Sequence, residues 1–294
     1  MLELRVLQYF LTVAREENIT RAAAYLHITQ PTLSRQLIQL EEELGVPLFH
    51  RTRQKLVLTE DGMLLRRRAQ EIVALARKAE QELTHGEQLT GELAIGSGDL
   101  KSMEFLADCL STFRQQHPLV QFRLYSGDSD NIKEQLELGL LDLGLLLEPV
   151  DVGKYEFLRL PAKECWGILV PTDSPLAVKT AVTPADLAGC PLLSANRALV
   201  QKELTSWFGA YTPEIVGVGN LPYNLAVLAR KGLGVYLTIQ LDCTFHGLTF
   251  LPLSPPLERQ TVLAWKKVEL ASPVTTAFLQ QVQECLNRIT AHTT

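Results

Sequence analysis

Between Thr20 and Leu40 the chain reads TRAAAYLHITQPTLSRQLIQL, a pattern that admits little besides two short helices joined by a tight turn. The first helix is expected from Thr20 to His27. Its alanines are strong helix formers, and Ala22, Ala23 and Leu26 recur on one side. Thr29 is the expected N-cap of the second helix, and Pro31, near the first helical position, needs no amide donor there. Leu33, Leu37 and Leu40 share a helical face and should turn inward. Gln30, Thr32, Ser34, Arg35 and Gln39 are left on the other side. Those are the groups DNA recognition uses: amides and a guanidinium for bidentate base contacts, hydroxyls for bases or phosphates. The same spacing also fits an αα-hairpin inside some other core, and pattern alone leaves both readings open.

Charge separates them in part. The chain has 294 residues and a formal net charge of -5, which excludes a general nucleic-acid coat. Yet residues 18–40 contain Arg21 and Arg35 and no acid before Glu41, Glu42 and Glu43, expected to be a solvated helix end. A basic turn, HRTRQK, follows at residues 50–55.

Thr59 should cap the next helix, which runs without a breaker to Gly86. Leu58, Gly62, Leu65, Ala69, Ile72, Ala76, Ala79 and Leu83 alternate at heptad spacing. Such a seam serves either a paired subunit or the chain's own core.

Past Gly86 the composition changes. Strands are expected near 92–97, 120–126, 142–147, 164–170, 191–194, 213–217, 233–238, 248–252 and 258–265, with helices at about 100–116, 129–139, 198–209, 221–231 and 273–290. Strands alternating with helices imply parallel βαβ units, and the length suits two small α/β lobes. In such sheets ligands bind past the carboxyl ends of strands, near helix N-termini. The first strand end supplies Ser97, Gly98, Asp99 and Ser102; the second, Gly127 and Asp128; the third, Glu148. In the second lobe the corresponding positions are Ser194 and Asn196, Gly219 and Asn220, and Thr238. All are also ordinary capping residues, and capping is compatible with ligand contact. Asp99, Asp128, Asp130 and Glu148 outweigh Lys101 and Arg197. That balance favours a ligand bringing an amine or hydroxyls, or one whose carboxylate is held by amides and Arg197.

Catalytic chemistry finds no foothold. Five scattered cysteines without a C-x-x-C read as buried, reduced thiols, and six histidines show no metal spacing, so neither a metal nor a cofactor is expected. No nucleophile elbow, Walker A or dinucleotide fingerprint occurs; Gly217-Val218-Gly219 lacks the third glycine. Met1 to Arg5 reads as a helix start rather than a signal peptide, and no apolar run is long enough to span a bilayer, so a cytoplasmic protein is expected.

Residues 1–62 resemble the DNA-binding domain of the LysR-type transcriptional regulators. The matching run is LRVLQYFLTVAREENITRAAAYLHITQPTLSRQLIQLEEELGVPLFHRTRQKLVLTEDG, with the core, the LE-x-E-L-G end and the wing in register. The resemblance implies that Gln30, Pro31, Thr32, Ser34 and Arg35 lie on a recognition helix, with Thr20, Arg21, Thr29 and Gln39 beside it. Arg51, Arg53 and Lys55 would lie in or near the wing. One departure stands out: Arg53 takes a position usually small, and Gln54 the usual Arg position. The second half is similar to the same family through QFRLYSGDSDNIKEQLELGLLDLGLLLEP and ARKGLGVYLTI.

The fold so implied is α+β and multidomain. It comprises an N-terminal winged helix-turn-helix (1–60), a long dimerising linker helix (61–88) and a two-lobed, periplasmic-binding-protein-like effector domain (89–294). Lobe I would span about 89–161 and 267–294, and lobe II about 162–266, with chain crossings near 161–163 and 266–268. Leu65, Ala69, Ile72, Ala76, Ala79 and Leu83 would form the dimer seam. Implied partners are double-stranded DNA bearing an interrupted inverted repeat, a small-molecule effector, further copies of the chain as a dimer or dimer of dimers, and RNA polymerase. A repressor acting by occupancy, its α/β half serving oligomerisation, is the alternative. An enzyme is not expected.

Overall fold

Helix α1 (Leu4–Glu16) buries Val6, Leu7, Phe10 and Val13 along one stripe and stops at Glu17, whose φ of 49° is left-handed. In this computed structural model the described residues are 2–51, 56–82, 88–148, 150, 153–195, 198–267 and 272–293. They fall into two units, Met1–His85 and Gly86–Thr294.

In the first unit α2 spans Ile19–Tyr25, one position earlier than expected. The cap is Asn18, whose side chain accepts the Arg21 amide at 2.9 Å. It ends before His27, which takes a φ of 55°. Helix α3 (Gln30–Leu44) starts at Thr29 as expected: the hydroxyl accepts the Thr32 amide, with Pro31 in the first turn. Gly45, at φ 71°, closes it. Strands β1 (Phe49–Arg51) and β2 (Leu56–Leu58) pair antiparallel as a small wing. Thr59 then caps the long α4 (Glu60–Glu82), accepting the Gly62 amide at 2.9 Å and donating to the Pro47 carbonyl at 2.7 Å. Leu33, Leu37 and Leu40 of α3 meet Ala22, Phe10, Leu48 and Phe49 in one core, closed by Ala69 and Val73 of α4.

The second unit begins with three parallel strands in the order β4 (Val120–Ser126), β3 (Gly91–Ser97), β5 (Leu143–Leu147). They are joined by α5 (Met103–Gln116) and α6 (Ser129–Glu137). Strand β6 (Tyr155–Pro171) is long enough to serve both lobes. A short 3-10 turn (Pro175–Val178) and α7 (Pro184–Leu187) lead into β7 (Pro191–Ala195), α8 (Ala198–Phe208), β8 (Glu214–Gly219), α9 (Pro222–Arg230) and β9 (Val235–Ile239). Of these strands, β7 lies between β8 and β9, parallel to both. Strand β10 (Leu248–Pro252) and β9 flank the far half of β6, both antiparallel to it. The chain returns along β11 (Glu258–Lys266), antiparallel to both β5 and β6, and α10 (Pro273–Thr293) packs on α5 in lobe I.

Along β6, residues 155–159 and 163–165 pair with β11 and residues 166–171 with β9 and β10. The expected second crossing, at 266–268, lies past the stretch where β11 changes partner. Residues 261–264 of β11 already pair with β5 of lobe I, and the register skips between Gln260 and Val262. That irregularity, not the strand's end, marks the crossing.

Candidate DNA-reading surface and interlobe cavity

The opening turns of α3 present Gln30, Pro31, Thr32 and Arg35 exposed and Ser34 half-buried, while Leu33 and Leu37 anchor the opposite face. Thr29 is committed to capping, its hydroxyl also bonded to that of Thr32 at 2.8 Å. Arg35 makes no hydrogen bond or ion pair among the described residues, so its guanidinium is available. Three neighbours are not equivalent to it. The Arg21 guanidinium donates to the Glu16 carbonyl, fastening α2 to the end of α1. Gln39 donates to Glu43 at 3.3 Å, and Thr20 is exposed at the outer side of α2. Glu41 was expected to be solvated. Instead its carboxylate accepts the Leu48 and Phe49 amides at 2.7 and 3.2 Å, holding the entry to the wing. Arg51 lies in β1, whereas Arg53 and Lys55 lie outside the described residues.

The expected seam on α4 splits between two faces. Ala69 is fully buried in its own unit, Leu65 packs beside it, and Gly62 sits against the Leu48 carbonyl. Those positions turn inward because α4 must cover α1 and the wing. Ala76 is half-buried and Ala79 exposed; Leu83 lies outside the described residues. Ile72 is 43% exposed, and Leu64 and Leu75, at 59% and 45%, join it in an outward apolar stripe. Arg68 and Arg67 flank it and hold Glu71 at 2.8 and 3.6 Å; Arg68 foremost draws that carboxyl below its ordinary range.

In the second unit a cavity of about 180 Å³ opens between the lobes. Seven of the strand-end residues meet there: Gly98, Asp99, Gly127, Asp128, Gly219, Asn220 and Thr238. Asp128 also caps α6, accepting the Asp130 and Asn131 amides at 3.0 and 2.9 Å. Four others do not line it. Ser97 folds its hydroxyl onto the Gly98 carbonyl at 2.7 Å, and the Glu148 carboxylate is held by Arg159 at 3.2 Å. Ser194 is buried behind the cavity with no partner for its hydroxyl among the described residues. Ser102 is consumed by Glu164. That carboxylate, 0% exposed at the crossing, accepts the Ser102 hydroxyl at 2.7 Å and the Lys101 and Ser102 amides at 3.0 and 2.9 Å. A buried carboxylate demands such donors, and the Ser102 hydroxyl reaches Thr261 as well. Asn196 and Arg197 lie outside the described residues.

Sequence reasoning missed Trp166, Tyr236, Leu145 and Leu147, which also line the cavity. Strand alternation could have found one of them, because Tyr236 shares a face with Thr238. Burial raises the Tyr236 phenol above its ordinary range; a hydrogen bond with Thr238 opposes this, and the Asp99 charge adds to it. Beside the cavity, Lys101 and Asp242 pair across the lobes at 3.2 Å. The thiols also depart from expectation. Cys243 is exposed, and burial followed by the neighbouring Cys285 pushes the buried Cys109 up to about 12.

A helix-turn-helix with an open recognition turn, joined to a two-lobed unit with a cavity at its strand ends, defines a ligand-responsive DNA-binding regulator. Residues 4–63 match the family model described as bacterial regulatory helix-turn-helix protein, lysR family, and residues 86–286 match the LysR substrate binding domain. The chain belongs to the LysR family of transcriptional regulators. It is 33% identical to the Hca operon transcriptional activator HcaR of Escherichia coli (strain K12), over 99% of this chain and 100% of that one. The HTH-type transcriptional regulator AlsR of Bacillus subtilis (strain 168) is 34% identical, over 86% of this chain and 81% of AlsR. Among solved structures, full-length CbnR complexed with its target DNA shares the fold at a TM-score of 0.73 and 21% identity. That match covers 97% of this chain and 100% of CbnR. The homologues are transcriptional regulators and not enzymes. No described helix is long and apolar enough to cross a membrane.

Proposed function

We propose that this regulator binds an interrupted inverted repeat as a dimer or dimer of dimers in the cytoplasm and acts on RNA polymerase. A small molecule held between the lobes by Asp99, Asp128, Asn220 and Thr238 controls it. Base discrimination falls to Gln30, Thr32, Ser34 and Arg35; Arg51, Arg53 and Lys55 position the protein on phosphates or in the minor groove. The observation that carries this is the Arg35 guanidinium, unpartnered among the described residues, beside a capped, acid-free helix start, the end that helix-turn-helix proteins insert into the major groove. Two heads at fixed spacing then read two half-sites. The exposed apolar edge residues Leu124 of β4 and Ile215, Val216 and Val218 of β8 support pairing of the regulatory units.

Binding assays on operator variants at several salt concentrations test the assignment. Arg35→Ala should relax base preference. Arg53→Ala should weaken binding evenly and flatten the salt slope by about one. The reverse pattern would show that helix and wing have been given each other's roles.

A further inference from the structure

The interlobe cavity is lined with negative charge. Asp99 and Asp128 are its charged residues, and its described lining includes no lysine, arginine or histidine. Lys101 is engaged by Asp242 in the adjoining groove. Helix N-termini are the natural seats for an anion, but two of those near the cavity are already filled by the chain's own carboxylates. Glu164 occupies the start of α5 and Asp128 that of α6. An incoming carboxylate would meet like charges in a partly dehydrated space, whereas an ammonium would be drawn to Asp99.

Two further observations define the rest of the occupant. Trp166 lines the cavity at 5% exposure, and its indole N–H has no acceptor among the described residues. That group can only donate, so a small turn of the indole toward the cavity would let it meet an oxygen on the ligand. Leu145, Leu147, Leu221 and Pro222 supply apolar wall beside the polar Asn220 and Thr238. An apolar cavity of about 150 Å³ is known to hold a benzene molecule. The volume here, about 180 Å³, therefore suits one aryl-sized body with a short arm.

Resting on the effector reading above, we infer that the ligand is a compact amphipathic amine, with its ammonium on Asp99, an aryl-sized body between the lobes and one oxygen accepting from Trp166. Tyramine carries all three features, and 3-(4-hydroxyphenyl)propanoate has nearly its shape with the opposite charge. Calorimetric titration of each into the full-length chain tests the inference. Tyramine should bind and the propanoate should not. Asp99→Asn, at an exposed position, should weaken tyramine about tenfold or more, and Trp166→Phe should weaken it less. Binding of the propanoate alone, lost in Arg197→Ala, would overturn the charge assignment while leaving an effector site in the cleft. Tyramine binding indifferent to Asp99→Asn, or silence from both probes, would overturn it as well. If in addition no fraction of a host metabolite extract raised the melting temperature, the effector reading itself would fall.

Discussion

Gly62 shows how one residue sets the geometry of the first unit. A β-carbon there would stand 2.1 Å from the Leu48 carbonyl oxygen, a backbone atom that cannot swing aside. Glycine thus lets α4 lie directly against the start of the wing while Thr59 caps the helix from the Pro47 side. Gly62→Ala should cost roughly 1–3 kcal/mol of unfolding free energy, in the range of an overpacked core. Urea denaturation followed by helix signal would measure it; an unchanged midpoint would mean that the wing can retreat. Glu41 works in the same register. Its carboxylate is spent on two amides at the wing, which is why a run of three glutamates misled a reading based on charge alone.

Helix α4 shows what periodicity can and cannot say. Its spacing promised an apolar seam, and an apolar seam exists, but a helix of this length has room for two. The inward face, Leu65, Ala69 and Val73, completes the unit's own core; the outward one is Leu64, Ile72 and Leu75. Period alone cannot tell which stripe a partner covers, because both satisfy helical repetition. Ile72→Asp combined with Leu75→Asp should therefore shift the protein toward monomer in sedimentation, with little loss of thermal stability. Ala69→Asp should unfold the domain outright. Equal effects from the two would mean that the stripes have been misassigned. Most other elements were legible to within about three residues, since glycine, proline and capping residues punctuate them, although the 3-10 turn at Pro175–Val178 and the short α7 were not expected. The near half of β6 was not. Its Pro161 argues against a strand, yet the proline falls where β11 skips register and leaves that stretch without a ladder partner.

For the molecule as a whole, the second crossing was hidden by the same irregularity, because no composition change accompanies it. The cavity's polar rim could be read from strand ends, while its aromatic and apolar walls come from residues that sequence alone assigns to the core. Glu164 ties the parts together by anchoring the first turn of α5 to the strand that crosses between lobes. Glu164→Ala would leave buried amides unmet at about 1–3 kcal/mol for each such group. The second unit should lose stability accordingly in chemical denaturation, and Glu164→Gln, which still accepts a hydrogen bond, should recover part of it. An exposed ion pair such as Lys101–Asp242 contributes little to stability, and dissolved ions screen it. DNA affinity obeys the same variable through counterion release. Ionic strength therefore acts on two equilibria at once, loosening the clasp beside the cavity while it strips the protein from its operator. The salt slope expected of Arg53 is best read as a difference against a Lys101→Met background, where that clasp is already gone.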